Sequence, residues 1–397
     1  LGLMGRSPDY LNVTLAGVAG RSDVWAINGN EQGAANLLAF QQEVAGRDLC
    51  LTHAIVNPTV DKAIPEQAAG DGEIVVHKVE DTANGILVRG ARALATLAPF
   101  ADEMFVYPGQ PIAKDAGRYA LAFSVPINTP GLKVMCRDSF SLPSNRFDHP
   151  FSSRFDEQDA VVIFDNVEVP RERLFLDGDP EIYNKVMATG WTANIMQQTT
   201  IRAWVKLEFA YELVTRMVEV LNAANPSTNE QLGEIWSYAE LTRAVVRAAE
   251  ADAYEWGNGT WFCDERPFRA IRPTLPRWFP RVNEIIKLVG AHNLLATPTA
   301  AELANPELRS LIEQYYQGAG GVSAEERIKV FRAAWDFAGT ALGGRNELYE
   351  RFYLASAARM YQVAHAAEQG RRKGAHPLLD QVLAPEGDVE ASGGWIA

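Results

Sequence analysis

The chain has 397 residues, 47% of them apolar and 22% charged, which is the composition of a globular protein with two or three domains. Its net charge of −13 leaves no basic surface for nucleic acid or an anionic membrane, and no apolar run approaches the roughly 20 residues that a membrane-spanning helix needs. Cys50, Cys136 and Cys263 are far apart and form no CxxC motif, so we expect no disulfide framework, no zinc site and a reducing, cytoplasmic location.

Over the first 180 residues the sequence pattern changes from helical to β. Residues 1–50 are rich in Ala, Leu and Asn and predict the end of a helical domain. Beyond Pro58, two β-rich runs flank Asn84-Gly85, which tolerates positive φ and predicts a hairpin. Further short runs at 119–125, 132–136 and 160–164 predict an antiparallel barrel or sandwich, so we expect a middle β domain over 51–180.

Residues 181–397 predict a helix-bundle domain that ends in a polar tail from residue 384. The segment 199–221 is apolar on two faces and should be a buried member of the bundle. Further helices are expected at 229–256, 280–295, 306–317, 324–341 and 346–369. The glycines at 318–321 follow a helix and precede the capping residue Ser323, so they predict a turn between helices and not a dinucleotide-binding loop.

Two short segments near the start contain side chains suited to chemistry on a phenol. Gly5-Arg6-Ser7-Pro8-Asp9-Tyr10 provides a permanent cation and a phenol, and residues 51–58 provide the imidazole of His53, which titrates near neutral pH. Taken alone, the first segment is also an ordinary turn and His53 an ordinary core histidine, so spacing leaves both interpretations open.

These two segments, together with residues 95–99 and 343–353, resemble the large oxygenase component of the 4-hydroxyphenylacetate 3-monooxygenase family, which includes chlorophenol monooxygenases and tyrosine-type hydroxylases. The four motifs occur in the same order. The resemblance implies an α+β, acyl-CoA dehydrogenase-like fold with a helical N-terminal part, a middle β barrel or sandwich and a C-terminal helix bundle. It also implies a homotetramer and a further helical segment before Arg6 in relatives.

The resemblance implies that the protein uses O2 and reduced FAD, and that it uses the reduced FAD like a substrate. A separate NAD(P)H-flavin reductase would make the reduced FAD, which would then reach the protein by diffusion. The flavin would lie in a groove between the β domain and the bundle. A flavin C4a-hydroperoxide would then transfer oxygen to the carbon ortho to a phenolic hydroxyl, with His53 as base or acceptor, Arg6 holding phenolate charge and Tyr10 completing the contact. The cofactor-binding residues implied are His53, Ala54, Ile55, Thr59, Val60, Asp61, Lys62, Thr96, Gly343, Gly344 and Arg345.

Two departures from the family concern ligand binding. Lys62 stands where relatives often have Arg, and residues 108–118 lack the Ser or Thr with which relatives hold a carboxylate, which puts simple 4-hydroxyphenylacetate in question. The phenol is 4-hydroxyphenylacetate-like, tyrosine-like or halogenated, and free or tethered to a carrier protein.

Two alternatives stay open. One is an acyl-CoA dehydrogenase-like flavoenzyme, although no residue in the sequence stands out as the carboxylate base that it would need. The other is a non-catalytic homologue that binds a phenol or a carrier protein.

The other titratable groups are weaker candidates for a catalytic or metal site. Asp156-Glu157 reads as solvated charge or a cap because adjacent residues do not face one another. The isolated His149, His292, His365 and His376 predict no metal site.

Overall fold

The N-terminal part of the protein is helical, as predicted. The structure is a computed structural model that describes residues 1–141, 145–189 and 191–384. The N-terminal helices are α1 (Pro8–Ala19), α2 (Ser22–Trp25) and α3 (Glu31–Arg47). Leu15, Trp25 and Phe40 from the three helices are buried in one apolar cluster, which is why short helices with little intrinsic stability hold together here.

The middle region forms two four-stranded sheets. The strands of the protein are β1 (Leu51–His53), β2 (His77–Asp81), β3 (Gly85–Thr96), β4 (Glu103–Val106), β5 (Leu121–Pro126), β6 (Leu132–Cys136), β7 (Asp159–Pro170), β8 (Leu174–Asp177), β9 (Tyr254–Gly257) and β10 (Thr260–Phe262). One sheet has the order β1-β4-β5-β8 and the other β2-β3-β7-β6, while β9 and β10 form a separate hairpin. The predicted hairpin at Asn84-Gly85 joins β2 to β3, which pair antiparallel, and is confirmed.

The two sheets face each other across an apolar layer. Phe123 on β5 meets Phe164 on β7 edge to face, with ring centroids 5.7 Å apart, and both are fully buried. Of the two predicted arrangements the sandwich is therefore confirmed, and the barrel is not formed, because within the described ranges the sheets stay separate. One pairing differs from the antiparallel prediction: β1 and β4 are parallel, with His53 opposite Phe105.

The C-terminal part is a helix bundle, as predicted. Its helices are α4 (Pro180–Ala188), α5 (Thr192–Leu221), α6 (Pro226–Ala251), α7 (Glu265–Ile271), α8 (Leu275–Gly290), α9 (His292–Leu295), α10 (Ala300–Ala304), α11 (Pro306–Tyr315), α12 (Ala324–Ala338), α13 (Ala341–Phe352), α14 (Ala357–Arg372) and α15 (Pro377–Leu383). The long α5 packs against α1, α6, α8 and α12, which confirms that it is apolar on more than one side.

The details of the bundle correct three predicted helix ranges. The helix expected over 280–295 is interrupted at Ala291, whose φ of 45° separates α8 from α9, and the helix expected over 229–256 ends at Ala251 because Tyr254–Gly257 form β9. The single helix expected over 346–369 is wrong: α13 and α14 are separate helices, and Ala355 between them has a left-handed backbone (φ 69°) that a continuous helix cannot contain. The turn at residues 318–321 is confirmed, and the Ser323 hydroxyl accepts the Glu326 N–H at the start of α12. The domain boundaries at residues 50 and 180 stay a prediction, and the predicted polar tail lies outside the described residues from 385 onward.

Candidate active site

The structure brings the three predicted catalytic residues together. Arg6 lies two residues before α1, Tyr10 lies in the first turn of α1, and His53 is the last residue of β1. All three are at least nine-tenths buried. The guanidinium carbon of Arg6 is 3.9 Å from the centroid of the Tyr10 ring, and Arg6 Nε donates to His53 Nε2 at 3.3 Å. Residues 47 positions apart in sequence thus form one continuous polar cluster.

Both ring nitrogens of His53 have protein partners. Because Nε2 accepts from Arg6, the proton of the neutral imidazole is on Nδ1, which donates to the Tyr107 hydroxyl at 2.8 Å. Burial and the charge of Arg6 lower the pKa of His53 well below 6.5. His53 is therefore a neutral hydrogen-bond acceptor at neutral pH.

Sequence reasoning missed Tyr107 and Tyr349 as members of this cluster. Arg6 Nη1 donates to the Tyr349 hydroxyl, and the Tyr349 ring lies so close to Gly5 that an added Cβ would collide with it. Burial raises the pKa of the hydroxyls of Tyr349 and Tyr107 well above 10, so both stay protonated. Tyr349 falls within the motif at residues 343–353, which was its sequence signal, whereas nothing local marked Tyr107.

The charge of Arg6 has no carboxylate partner. Among the described residues, no acidic side chain comes within ion-pairing distance of its guanidinium, and its Nη2 donates no hydrogen bond. Burial opposes the charge, but the surrounding phenols, Tyr10 first among them, raise the pKa of Arg6 above its ordinary value. The site therefore contains a buried cation with a donor to spare.

A second cluster joins the β sandwich to the bundle beside the first. Arg345 on α13 donates Nη1 to Glu157 at 2.5 Å and Nη2 to Asp159 at 2.6 Å, and Thr96 donates its hydroxyl to Asp159 at 2.9 Å. Glu157 in turn accepts the backbone N–H of Arg6 at 2.8 Å. The interpretation of Asp156-Glu157 as solvated charge is wrong, since Glu157 is 1% exposed and both carboxylates are paired with arginines of other segments.

The other predicted flavin residues lie in three places. Ala54 is buried directly after β1, and Ile55 follows it. Residues 59–62 form an exposed turn for which the described part of the chain shows no contact with Arg6, Tyr10 or His53. Gly343 and Gly344 lie in the first turn of α13, where Gly343 packs closely on the end of α12 and Gly344 has open space around it. The cofactor assignments of these residues stay predictions.

A buried acceptor without a partner lies near Thr96, one of the residues predicted to contact the flavin. Gln158 is 7% exposed, and its Oε1 has no hydrogen-bond partner among the described residues. Its backbone carbonyl accepts the N–H of Leu97 at 3.1 Å, which places it next to Thr96. A buried acceptor without a donor costs free energy, and a flavin ring has N–H donors that would satisfy it. Across the described ranges, no group of His, Cys, Asp and Glu could hold a metal ion.

Comparison with known proteins agrees with this geometry. The sequence matches the family described as 4-hydroxyphenylacetate 3-hydroxylase N terminal over residues 1–176 and its C-terminal counterpart over 183–381. It is 37% identical over 367 residues to the 4-hydroxyphenylacetate 3-monooxygenase oxygenase component of Thermus thermophilus, which covers 92% of this chain and 75% of that protein. It is 34% identical over 358 residues to a Rhodococcus 4-nitrophenol 2-monooxygenase oxygenase component, over 89% of this chain and 67% of that protein.

Solved structures give the same result. The crystal structure of the oxygenase component of 4-hydroxyphenylacetate 3-monooxygenase complexed with FAD and 4-hydroxyphenylacetate has a TM-score of 0.87 and 35% identity, covering 96% of this chain and 79% of that chain. A glutaryl-coenzyme A dehydrogenase shares the fold alone, with a TM-score of 0.50 and 15% identity over 93% of this chain and 78% of that chain. The acyl-CoA dehydrogenase-like fold is thus confirmed, and the chain belongs to the 4-hydroxyphenylacetate 3-hydroxylase family.

Proposed function

We propose that the chain is the oxygenase component of a two-component monooxygenase, which uses O2 and reduced FAD from a separate reductase to hydroxylate a phenol ortho to its hydroxyl. The family supports this function, because the similar proteins are oxygenase components of phenol monooxygenases and one similar structure contains FAD with a phenolic acid. The enzyme is an aromatic monooxygenase.

The uncompensated charge of Arg6 is the observation that carries the proposal. A phenolate is an anion with a single oxygen, and the buried residue Arg6 has one donor atom, Nη2, without a partner in the described residues. At an effective dielectric constant of about 20, unit charges 4 Å apart attract by about 4 kcal/mol, enough to lower the pKa of a bound phenol by about three units. Because a phenolate ring is a stronger nucleophile than a phenol ring, this charge favours oxygen transfer.

The three catalytic residues have different roles in this proposal. Arg6 binds the phenolate oxygen, and Tyr10, whose hydroxyl makes no hydrogen bond among the described residues, completes the contact. His53 holds the Arg6 Nε–H through Nε2 and becomes the acceptor for the phenol proton when Arg6 releases that nitrogen. Its neutral state suits both tasks, since an imidazolium would accept from neither group.

The proposed flavin site lies next to this cluster. His53 to Ile55, residues 59–62, Thr96 and residues 343–345 would hold the flavin, and Gln158 would accept from its ring. Bound reduced flavin supplies the electrons that activate O2. Arg345 then has two tasks, since its guanidinium also bridges Glu157 and Asp159.

Several finer points belong to the same proposal. We place the protein in the cytoplasm as a homotetramer, served by an NAD(P)H-flavin reductase through diffusion of the flavin. Three free cysteines suit a reducing compartment. Leu378, Leu379 and Val382 on α15 are more than half exposed, which suits a contact between subunits. No helix in the described ranges is long and apolar enough to cross a membrane.

The loop at residues 108–118 limits the choice of phenol. The Asn184 side chain holds it by accepting the Ile112 N–H at 3.0 Å and donating to the Ile112 carbonyl at 2.9 Å. With no Ser or Thr in this loop, we propose a phenol other than simple 4-hydroxyphenylacetate, either free or tethered to a carrier protein.

The test supplies reduced FAD, air and a panel of free, halogenated and carrier-tethered phenols, and identifies products by mass. We expect one phenol to gain one oxygen atom. Arg6→Gln should lower product formation about a hundredfold while flavin oxidation continues and releases peroxide. Arg21→Gln is the matched control, because Arg21 is a partly exposed arginine paired with Asp23. Equal product from Arg6→Gln and the control would refute the role of Arg6, and no oxygenated product from any phenol would refute the function.

A further inference from the structure

Glu157 holds the backbone of the phenol-binding segment. This carboxylate lies just before β7 and is 1% exposed. Its Oε1 accepts the N–H of Gly5 at 2.9 Å, and its Oε2 accepts the N–H of Arg6 at 2.8 Å. Hydrogen bonds to an ionised carboxylate are about twice as strong as neutral ones, so the pair fixes these two peptide groups firmly.

Other anchors of the segment lie on either side of Gly5 and Arg6, where Arg202 donates to the Gly2 carbonyl at 3.2 Å and Gln198 to the Ser7 hydroxyl at 3.1 Å. Helix α1 begins two residues later, and its N-cap Ser7 makes no side-chain capping hydrogen bond. Gly5 lies against the Tyr349 ring, and no Cβ fits between them. Glu157 therefore fixes Arg6 at the backbone, while His53 and Tyr349 fix the tip of its side chain.

Glu157 is itself held in place from the bundle. Arg345 Nη1 donates to Glu157 Oε1 at 2.5 Å, and its Nε and Nη2 donate to Asp159 at 2.9 and 2.6 Å. The carboxylate thus joins the N-terminal segment, the β sandwich and α13 at one point. Its charge does not contact the Arg6 guanidinium, since no ion pair between those two side chains occurs in the described structure.

We propose that Glu157 is a positioning residue that fixes Arg6 for the phenolate, an inference that rests on the proposed function. The two possible effects of the Glu157 carboxylate on phenolate formation have opposite signs. By charge alone, a carboxylate near the site opposes phenolate formation, so its removal would favour the phenolate. By positioning Arg6, the same carboxylate favours the phenolate, so its removal would disfavour it.

The experiment titrates 4-nitrophenol, a coloured phenol, bound to the flavin-free protein and follows its phenolate absorption with pH. Wild-type protein should lower the pKa of the bound phenol relative to that in solution. Glu157→Gln should raise that pKa by about one unit relative to wild type, a tenfold change in the ionisation constant, because an amide nitrogen cannot accept the second N–H. Asp159→Asn is the matched control: it removes a carboxylate from the same Arg345 junction without touching Gly5 or Arg6, and should leave the pKa near the wild-type value.

The outcomes distinguish the positioning role of Glu157 from the proposed function. An unchanged or lower pKa in Glu157→Gln would overturn the positioning role, as would equal shifts in Glu157→Gln and Asp159→Asn. If wild-type protein does not lower the pKa of the phenol, the proposed function fails at Arg6, and the positioning role fails with it. Glu157→Asp keeps the charge but is one methylene shorter, so it should behave like Glu157→Gln if position matters. Wild-type behaviour of Glu157→Asp would mean that charge alone matters.

Discussion

Replacing Glu350 by Gln should destabilise the bundle strongly. Glu350 on α13 lies between two cations of α5: Arg202 donates to its two oxygens at 2.6 and 3.0 Å, and Lys206 Nζ donates at 3.1 Å. All three side chains are more than nine-tenths buried. Glu350→Gln leaves both cations facing a neutral amide in the interior, next to the helix turn that carries Tyr349 and Arg345 into the site.

The structure gives the size and the pH range of this effect. Burial alone would raise the pKa of Glu350, but Arg202 and Lys206 lower it from 4.5 to about 2. A shift of that size corresponds to about 3 kcal/mol of stability, in line with the roughly 3–5 kcal/mol lost when one partner of a buried ion pair is removed. Because the folded-state pKa is the lower one, this stability is present above pH 4.5 and is lost as the pH falls towards 2.

Urea unfolding of wild-type and Glu350→Gln protein at neutral pH measures the loss. Glu368→Gln is the matched control, because Glu368 on α14 also pairs with two cations, Arg371 and Arg372, and its pKa is likewise lowered to about 2. Those groups lie on the surface, where solvent screens the pair, so Glu368→Gln should leave the unfolding midpoint almost unchanged. Equal losses in the two variants, or a difference between wild type and Glu350→Gln that persists undiminished near pH 2, would refute the reasoning.

Two further predictions concern the site. Gly5→Ala should weaken binding of a phenol about tenfold or more, because the new Cβ pushes on the Tyr349 ring. Gly46→Ala on α3, where the new Cβ meets open space, should bind as wild type does, and equal binding by both variants in an equilibrium titration would contradict this. Although burial opposes it, Arg345 lowers the pKa of Asp159 from 3.8 to about 2, so unfolding curves should show a contribution from this pair above pH 3.8 that falls away towards pH 2 and is absent in Asp159→Asn.

Local patterns predicted much of the fold. The β-rich run at 132–136 predicted β6 with its observed bounds, because the turn residues Pro130-Gly131 before it mark where the strand begins. The two apolar faces of α5 predicted its central place, since a helix that is apolar on several sides has to be surrounded. The helices predicted as single units over 280–295 and 346–369 failed at Ala291 and Ala355, because alanine favours a helix and its residue type gives no signal for the positive φ found there.

Long-range contacts could not be predicted in the same way. The resemblance supplied Arg6, Tyr10 and His53, but nothing in the sequence states that Tyr349 reaches Arg6 across 343 positions. Glu157 was misinterpreted for the same reason: adjacent acidic residues resemble a solvated surface until the fold brings arginines from distant segments to them. The parallel pairing of β1 with β4 likewise depends on a crossover that local patterns do not encode.

The buried charge of Arg6 connects the fold to the proposed chemistry. Burying a guanidinium without a carboxylate partner costs several kilocalories per mole, and a bound phenolate would offset that cost. A carboxylate on the guanidinium itself would make the fold more stable but would leave no charge for the phenolate. Glu157 avoids this conflict because it accepts the backbone N–H of Arg6 and forms its ion pair with Arg345. Arg6 is thus anchored through its backbone N–H, and its guanidinium charge stays available for the phenolate.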